Sequence, residues 1–129
     1  MIRGNRLTTV IRPWFTIYRW TTAREIIFGI NSLNQLLNKV RYFNSKRILV
    51  ITGPIIRKIG ITDKVVDIIR PLDVEIEIFD EIEPEPYIET AEKAKEVVRK
   101  GKFDLVIGVG GGSVLDVSKI TALMATNPG

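Results

Sequence analysis

Apolar positions along this chain recur at every second residue in some stretches and at every third or fourth in others, and the changes of period mark out its elements. WFTIYRW (residues 14–20) is aromatic and β-branched, and REIIFG (residues 24–29) closes an apolar run on glycine, which predicts two short opening strands. From Asn31 the period turns helical. Leu33, Leu36, Leu37, Val40 and Phe43 share one face, with Asn31 or Ser32 as N-cap and Asn44 as the stop. KRILVIT (residues 46–52) is a nearly unbroken aliphatic run ending in Gly53-Pro54, which predicts a strand covered on both faces. Residues 55–69 carry helical spacing broken around Gly60, with Thr62 or Asp63 as cap for the second piece and Pro71 beyond it. This predicts a short helix, a turn and a longer helix.

VEIEIFD (residues 74–80) alternates apolar and acidic positions, as expected of a strand with one wet face near a sheet edge. EIEPEPY (residues 81–87) holds two prolines and is expected to be irregular. Residues 87–100 predict a charged helix with Ile88, Ala91, Ala94 (or Lys95), Val97 and Val98 inward and Gly101 closing it. FDLVIGV (residues 103–109) reads as another buried strand, followed by a glycine turn and an apolar helix over 114–125, halted at Asn127-Pro128. Strand and helix alternate throughout. The expected class is α/β, a Rossmann-like open and mainly parallel sheet with helices on both faces.

Composition narrows the chemistry. The chain of 129 residues, 45% hydrophobic, is long enough for one domain with a real core, yet it holds neither cysteine nor histidine. Disulfides, thiolate nucleophiles, sulfur-ligated metals and the commonest metal ligand and general base are excluded together. No apolar run approaches the roughly 20 residues that cross a bilayer, and the first 15 residues lack a secretory signal's apolar core, so a cytoplasmic protein without a membrane partner is expected. Net charge is +4, and Arg3, Arg6, Arg12, Arg19 and Arg24 come ahead of the acidic residues. No stacking motif, zinc ligand set or arginine-rich run accompanies them, so no nucleic-acid partner is expected. The abundance of Ile, Lys, Arg and Glu resembles the bias of heat-adapted proteomes.

The glycine turn is the most informative segment. In GVGGGSVLDVSK (residues 108–119), Gly110, Gly111 and Gly112 separate the strand from the helix, where ligands bind in open parallel sheets. Residues without Cβ let backbone N–H groups approach a diphosphate, and the helix N-terminus adds unpaired donors and partial positive charge. Ser113 is placed to cap the helix or to donate to a phosphate, and with Asp116 it forms an S-x-x-D capping box. Lys119, three residues after Asp116, either pairs with it at the surface or flanks a ligand. The G-x-G-x-x-G fingerprint fails, because Ser113 stands where the third glycine belongs, and no Gly-Lys-Ser/Thr of a Walker loop follows.

GGGSVLDVSK resembles, at every fixed position, the G-G-G-S-x-x-D-x-x-K signature of the iron-containing (group III) alcohol dehydrogenases. REIIFG, RILVITG and EIEPEPYIETAEKA are similar to that family's early strand, first nucleotide-domain strand and acidic crossing, in the same order. The resemblance implies that residues 1–129 are a partial dinucleotide-binding domain, with 1–13 an N-terminal extension. It implies an NAD(P) site lined by Gly110, Gly111, Gly112, Ser113, Asp116 and Lys119, with Thr52 and Gly53 at the end of the preceding strand. It also implies an oxidoreductase transferring hydride between an alcohol or aldehyde and the nicotinamide, with a divalent metal, iron or zinc, polarising the alcohol oxygen. Glycerol dehydrogenases and dehydroquinate-synthase relatives share the glycines and the fold and remain the alternative enzyme branches.

Several features depart from the pattern. The family's acidic residue after the first strand, which holds the adenosine ribose, is replaced by Gly53, with Arg57 and Lys58 nearby, so NADP is expected over NAD. The equally open alternative is that Gly53 only starts a turn before Pro54. Glu85-Pro86 stands where the family tends to have Asn-Pro. The His ligands of the family's C-terminal helical metal-binding domain are absent, so there is no metal site and no catalytic residue in this chain. The expectation is a chain inactive alone, from a truncated gene, a split enzyme completed by a missing C-terminal chain, or a non-catalytic nucleotide-binding or assembly remnant. The apolar 114–124 helix, lacking cover, is then expected to drive homo-oligomer formation.

Overall fold

The computed structural model describes residues 23–127. The chain divides into two units, Met1–Ile30 and Asn31–Gly129. Of the first unit, residues 23–30 are described and contain no regular secondary structure, so the strand expected at 24–29 is absent. A strand exists only through ladder partners, and an apolar composition by itself supplies none. The other opening strand expected, at 14–20, lies outside the described residues, as does the 1–13 extension.

The second unit is built on three parallel strands: β1 (Arg47–Thr52), β2 (Glu75–Phe79) and β3 (Leu105–Val109), in the order β2-β1-β3. β1 is central and almost wholly buried, as its unbroken aliphatic run requires. Its alternate residues feed two cores. Leu49 and Ile51 join Phe79, Ile82, Ala94, Val98, Val114 and Val117 on one face, and Ile48 and Val50 join Val40 and Ile69 on the other. The helices therefore divide, with α1 (Leu36–Phe43) and α3 (Ile61–Ile69) on one side and α4 (Ile88–Gly101) and α5 (Gly112–Thr126) on the other. This is the Rossmann-like α/β arrangement. β2 keeps Glu75 and Glu77 in solvent while Ile76 and Ile78 pack inward, the wet-faced edge strand read from its alternation. At the opposite end of the sheet the Asp104 carboxylate accepts from the backbone N–H groups of Lys46 (2.8 Å) and Arg47 (3.2 Å), tying the starts of β1 and β3 together.

Local details differ from the sequence reading in instructive ways. The first helix opens as a 3-10 turn (Ser32–Gln35), and neither Asn31 nor Ser32 caps it through a side chain. Asn44 does stop α1, in the left-handed conformation at φ 50. Phe43 is 60% exposed and only Val40 of the expected face is fully buried, because α1 touches the sheet along one short strip. Between the short α2 (Pro54–Lys58) and α3, Gly60 adopts φ 83. Thr62 lies inside α3, on the buried stripe with Val65 and Ile69, and is not its cap. Ile88 is exposed at the start of α4, and Thr90 takes an inward position instead. The left-handed residue closing α4 is Lys102, not Gly101, whose missing Cβ makes room for the Phe103 ring. β3 is half-buried and not fully covered, since it pairs on one edge only among the described residues. Among the described residues no helix is long and apolar enough to cross a membrane.

Candidate functional site

Three loops leave the carboxyl ends of the strands, and they meet. The first follows Thr52, whose side chain is fully buried; its hydroxyl donates to the Val109 carbonyl at 2.8 Å, joining the ends of β1 and β3. Gly53 comes next and caps α2 in an extended conformation. A Cβ on Gly53 would stand 2.6 Å from the Ile82 carbonyl oxygen, so the glycine is demanded by a backbone that passes directly over it.

That backbone belongs to residues 80–87, a strap between β2 and α4. The Ile82 N–H donates to the Thr52 carbonyl (3.2 Å), and the Ile82 side chain enters the core. Thr90 donates to the Glu83 carboxylate (3.0 Å), Lys93 pairs with Glu81 (3.0 Å), and the Ser113 hydroxyl donates to the Pro84 carbonyl. The proline-containing loop is irregular, as expected, and it is fastened at four points.

The third loop is the glycine turn. Gly110 has φ +156 and its missing Cβ would meet the Val114 side chain at 2.8 Å, so glycine is required for conformation and closeness alike. Gly111 is the N-cap of α5, and Gly112 opens that 15-residue helix. Apart from adjoining residues and the helix's own backbone, neither has a heavy atom within 4 Å of where a Cβ would stand, so this side of the turn is open. No side chain caps the first turn of α5. Its leading N–H groups have no partner inside the helix and carry the positive end of the dipole, a setting for an anion such as a phosphate.

The expected site residues thus fall into three groups. Gly110, Gly111, Gly112 and Ser113 come together at the turn, although Ser113 lies within α5 and spends its hydroxyl on the strap, so the S-x-x-D capping box does not form. Asp116 and Lys119 pair with each other at 3.5 Å, both largely in solvent. Thr52 and Gly53 lie beneath the strap, where Thr52 has no surface to offer a ligand. Arg57 is engaged with Asp63 at 2.7 Å. Ile82, Pro84 and Thr62, none of them anticipated, shape the site. A single isoleucine among the acidic residues 80–83 was the one signal that the strap is anchored inward. A separate open groove of 610 Å³ lies along α4, lined by Phe79, Ile88 and Val97 among others and by no residue of the glycine turn. Among the described residues no group of acidic side chains could hold a metal ion.

Comparison with known proteins places this geometry. The model of the family "Iron-containing alcohol dehydrogenase" matches residues 23–129. Long-chain-alcohol dehydrogenase 1 of Geobacillus thermodenitrificans is 46% identical over 101 residues, covering 78% of this chain and 26% of that protein. NADPH-dependent butanol dehydrogenase of Clostridium saccharobutylicum is 33% identical over 110 residues, 85% of this chain and 28% of that one. The crystal structure of NADH-dependent butanol dehydrogenase A from Thermotoga maritima superposes with a TM-score of 0.78 at 29% identity, over 88% of this chain and 29% of its own. The chain therefore spans about a quarter of the length of the curated relatives it matches. With the signature turn, the parallel sheet and the family match over 23–129 in agreement, the chain belongs to the iron-containing alcohol dehydrogenase family.

Proposed function

We propose that this chain forms the dinucleotide-binding part of an NAD(P)-dependent alcohol dehydrogenase, with the glycine turn and the α5 N-terminus holding the pyrophosphate. The observation that carries the reading is the open space at Gly111 and Gly112 beside uncapped helix N–H groups. Bound there, the nicotinamide dinucleotide supplies the hydride acceptor or donor. The chain's own residues bind it through backbone N–H groups and orient it along the ends of β1 and β3.

NADP is the favoured form. Gly53 offers no carboxylate to the ribose, and the Ile82 carbonyl closes that position to any larger side chain. Lys58 and Arg57 lie on the following α2; Arg57 would exchange its exposed Asp63 partner for a 2′-phosphate. The family's divalent metal does not fit these residues. The sequence has no histidine, and among the described residues no acidic cluster could hold a metal. A cytoplasmic setting and self-association through the uncovered side of α5 complete the proposal.

Calorimetric titration with NADPH and, separately, NADH tests it. Saturable binding is expected, tighter for NADPH, and Gly112→Asp removes it. An acidic residue in the first helical turn favours the helix dipole, so that variant stays folded while placing negative charge in the phosphate space. A tenfold or greater preference for NADH rejects the NADP assignment, and no binding of either by the folded chain rejects the reading as a whole.

A further inference from the structure

Thr62 takes no part in the site as the sequence presents it, yet its side chain is fully buried and bonded to Thr52 at the end of β1. Its hydroxyl donates to the Thr52 hydroxyl at 3.3 Å, and Thr52 in turn donates to the Val109 carbonyl at 2.8 Å. We infer that Thr62 is a positioning residue, acting through Thr52 to set the Val109–Gly110 peptide plane from which the glycine turn departs. The inference rests on the dinucleotide reading of that turn.

The physical chain is short. A hydroxyl has one proton and can point it in several directions. Because Thr62 donates to the Thr52 oxygen, the Thr52 proton is left to the Val109 carbonyl. The carbonyl of Val109 and the N–H of Gly110 share one rigid plane, so holding the oxygen also aims the N–H and fixes the direction from which Gly110, at φ +156, starts the turn. Thr52 and Val109 are the last register pair of β1 and β3, beyond which no ladder bond holds the chain. The same Thr52 also receives the Ile82 N–H through its backbone carbonyl (3.2 Å). One residue thereby fixes the strap and the turn, and Thr62 fixes that residue's hydroxyl from α3. In low-dielectric surroundings such linked hydroxyl bonds reinforce each other.

The test compares Thr62→Val, Thr62→Ser, Thr52→Val and the double valine variant in the full chain. Amide hydrogen exchange of the nucleotide-free protein is measured first. Thr62→Val is expected to speed exchange about tenfold at Leu115, whose N–H donates to the Gly111 carbonyl of the turn (3.0 Å), while Ile48, Leu49 and Val50 in β1 stay protected, and Thr62→Ser restores the wild-type rates. NADPH affinity measured by titration is expected to fall about five- to tenfold in Thr62→Val and to be retained in Thr62→Ser. Because both hydroxyls act through one path, the double variant is no weaker than Thr52→Val alone. Unchanged exchange at the turn, acceleration spread evenly through β1, or additive losses in the double variant each overturn the inference. Should the folded wild type bind neither nucleotide while the exchange effect stays local to the turn, the dinucleotide reading falls and the positioning link stands.

Discussion

Glu85 shows how a single side chain can tune this site. It follows the proline whose carbonyl Ser113 holds, on the exposed side of the strap. A carboxylate there opposes a bound diphosphate, and at surface dielectric such repulsion is modest and screened by salt. Glu85→Gln is expected to tighten NADPH binding about threefold at low ionic strength, the gain vanishing near 1 M salt in parallel titrations. Gly53 makes the opposite case, where backbone closeness governs. Gly53→Ala sets a methyl 2.6 Å from the Ile82 carbonyl, so the strap must shift; a loss of about 1–3 kcal/mol is expected in denaturant unfolding. Both residues were visible in the sequence as departures from a family pattern. Their physical roles were not, because Ile82 lies 29 positions beyond Gly53 and only folding brings the two backbones together.

At the scale of elements, periodicity located helices and strands well wherever one face is buried against the sheet. β1, β2, α3 and α4 appear where their patterns place them, since each carries a sufficiently long apolar stripe. Residues at the ends of a stripe were less legible. Phe43 and Ile69 both sit at helical spacing in the sequence, but Phe43 faces solvent and Ile69 is wholly enclosed. Ile69→Ala should therefore cost about 2–5 kcal/mol, and Phe43→Ala should stay within about 0.5 kcal/mol, by the same unfolding measurement. The segment at 24–29 shows the limit on the strand side. Aliphatic composition permits an extended chain, but a strand is a relation between two segments and needs a partner to exist.

For the molecule as a whole, the uncovered side of α5 matters most. Val114, Val117 and Thr121 turn inward, while Leu115, Ile120 and Leu123 are exposed, Leu123 by 63%. Apolar surface on a helix next to a half-covered strand favours association. Static light scattering at high concentration is expected to give a mass above the 14.6 kDa of one chain, and Leu123→Glu to bring it down toward that value. A monomeric wild type would count against self-association through this face.

From Asn31 onward the sequence alone determined the order of strands and helices, the parallel α/β class and the location of the glycine turn. These follow from local periodicity and from the conformational freedom of glycine. Tertiary structure alone decided that Thr52 is buried, that Gly53 lies under the Ile82 carbonyl, that Ser113 holds the strap and that Thr62 bonds to Thr52. Each of these is a meeting of groups 10 to 57 positions apart in the chain. Hydrogen bonds and steric limits act over a few ångströms of space, and a one-dimensional pattern carries no record of which distant residues will come within that range.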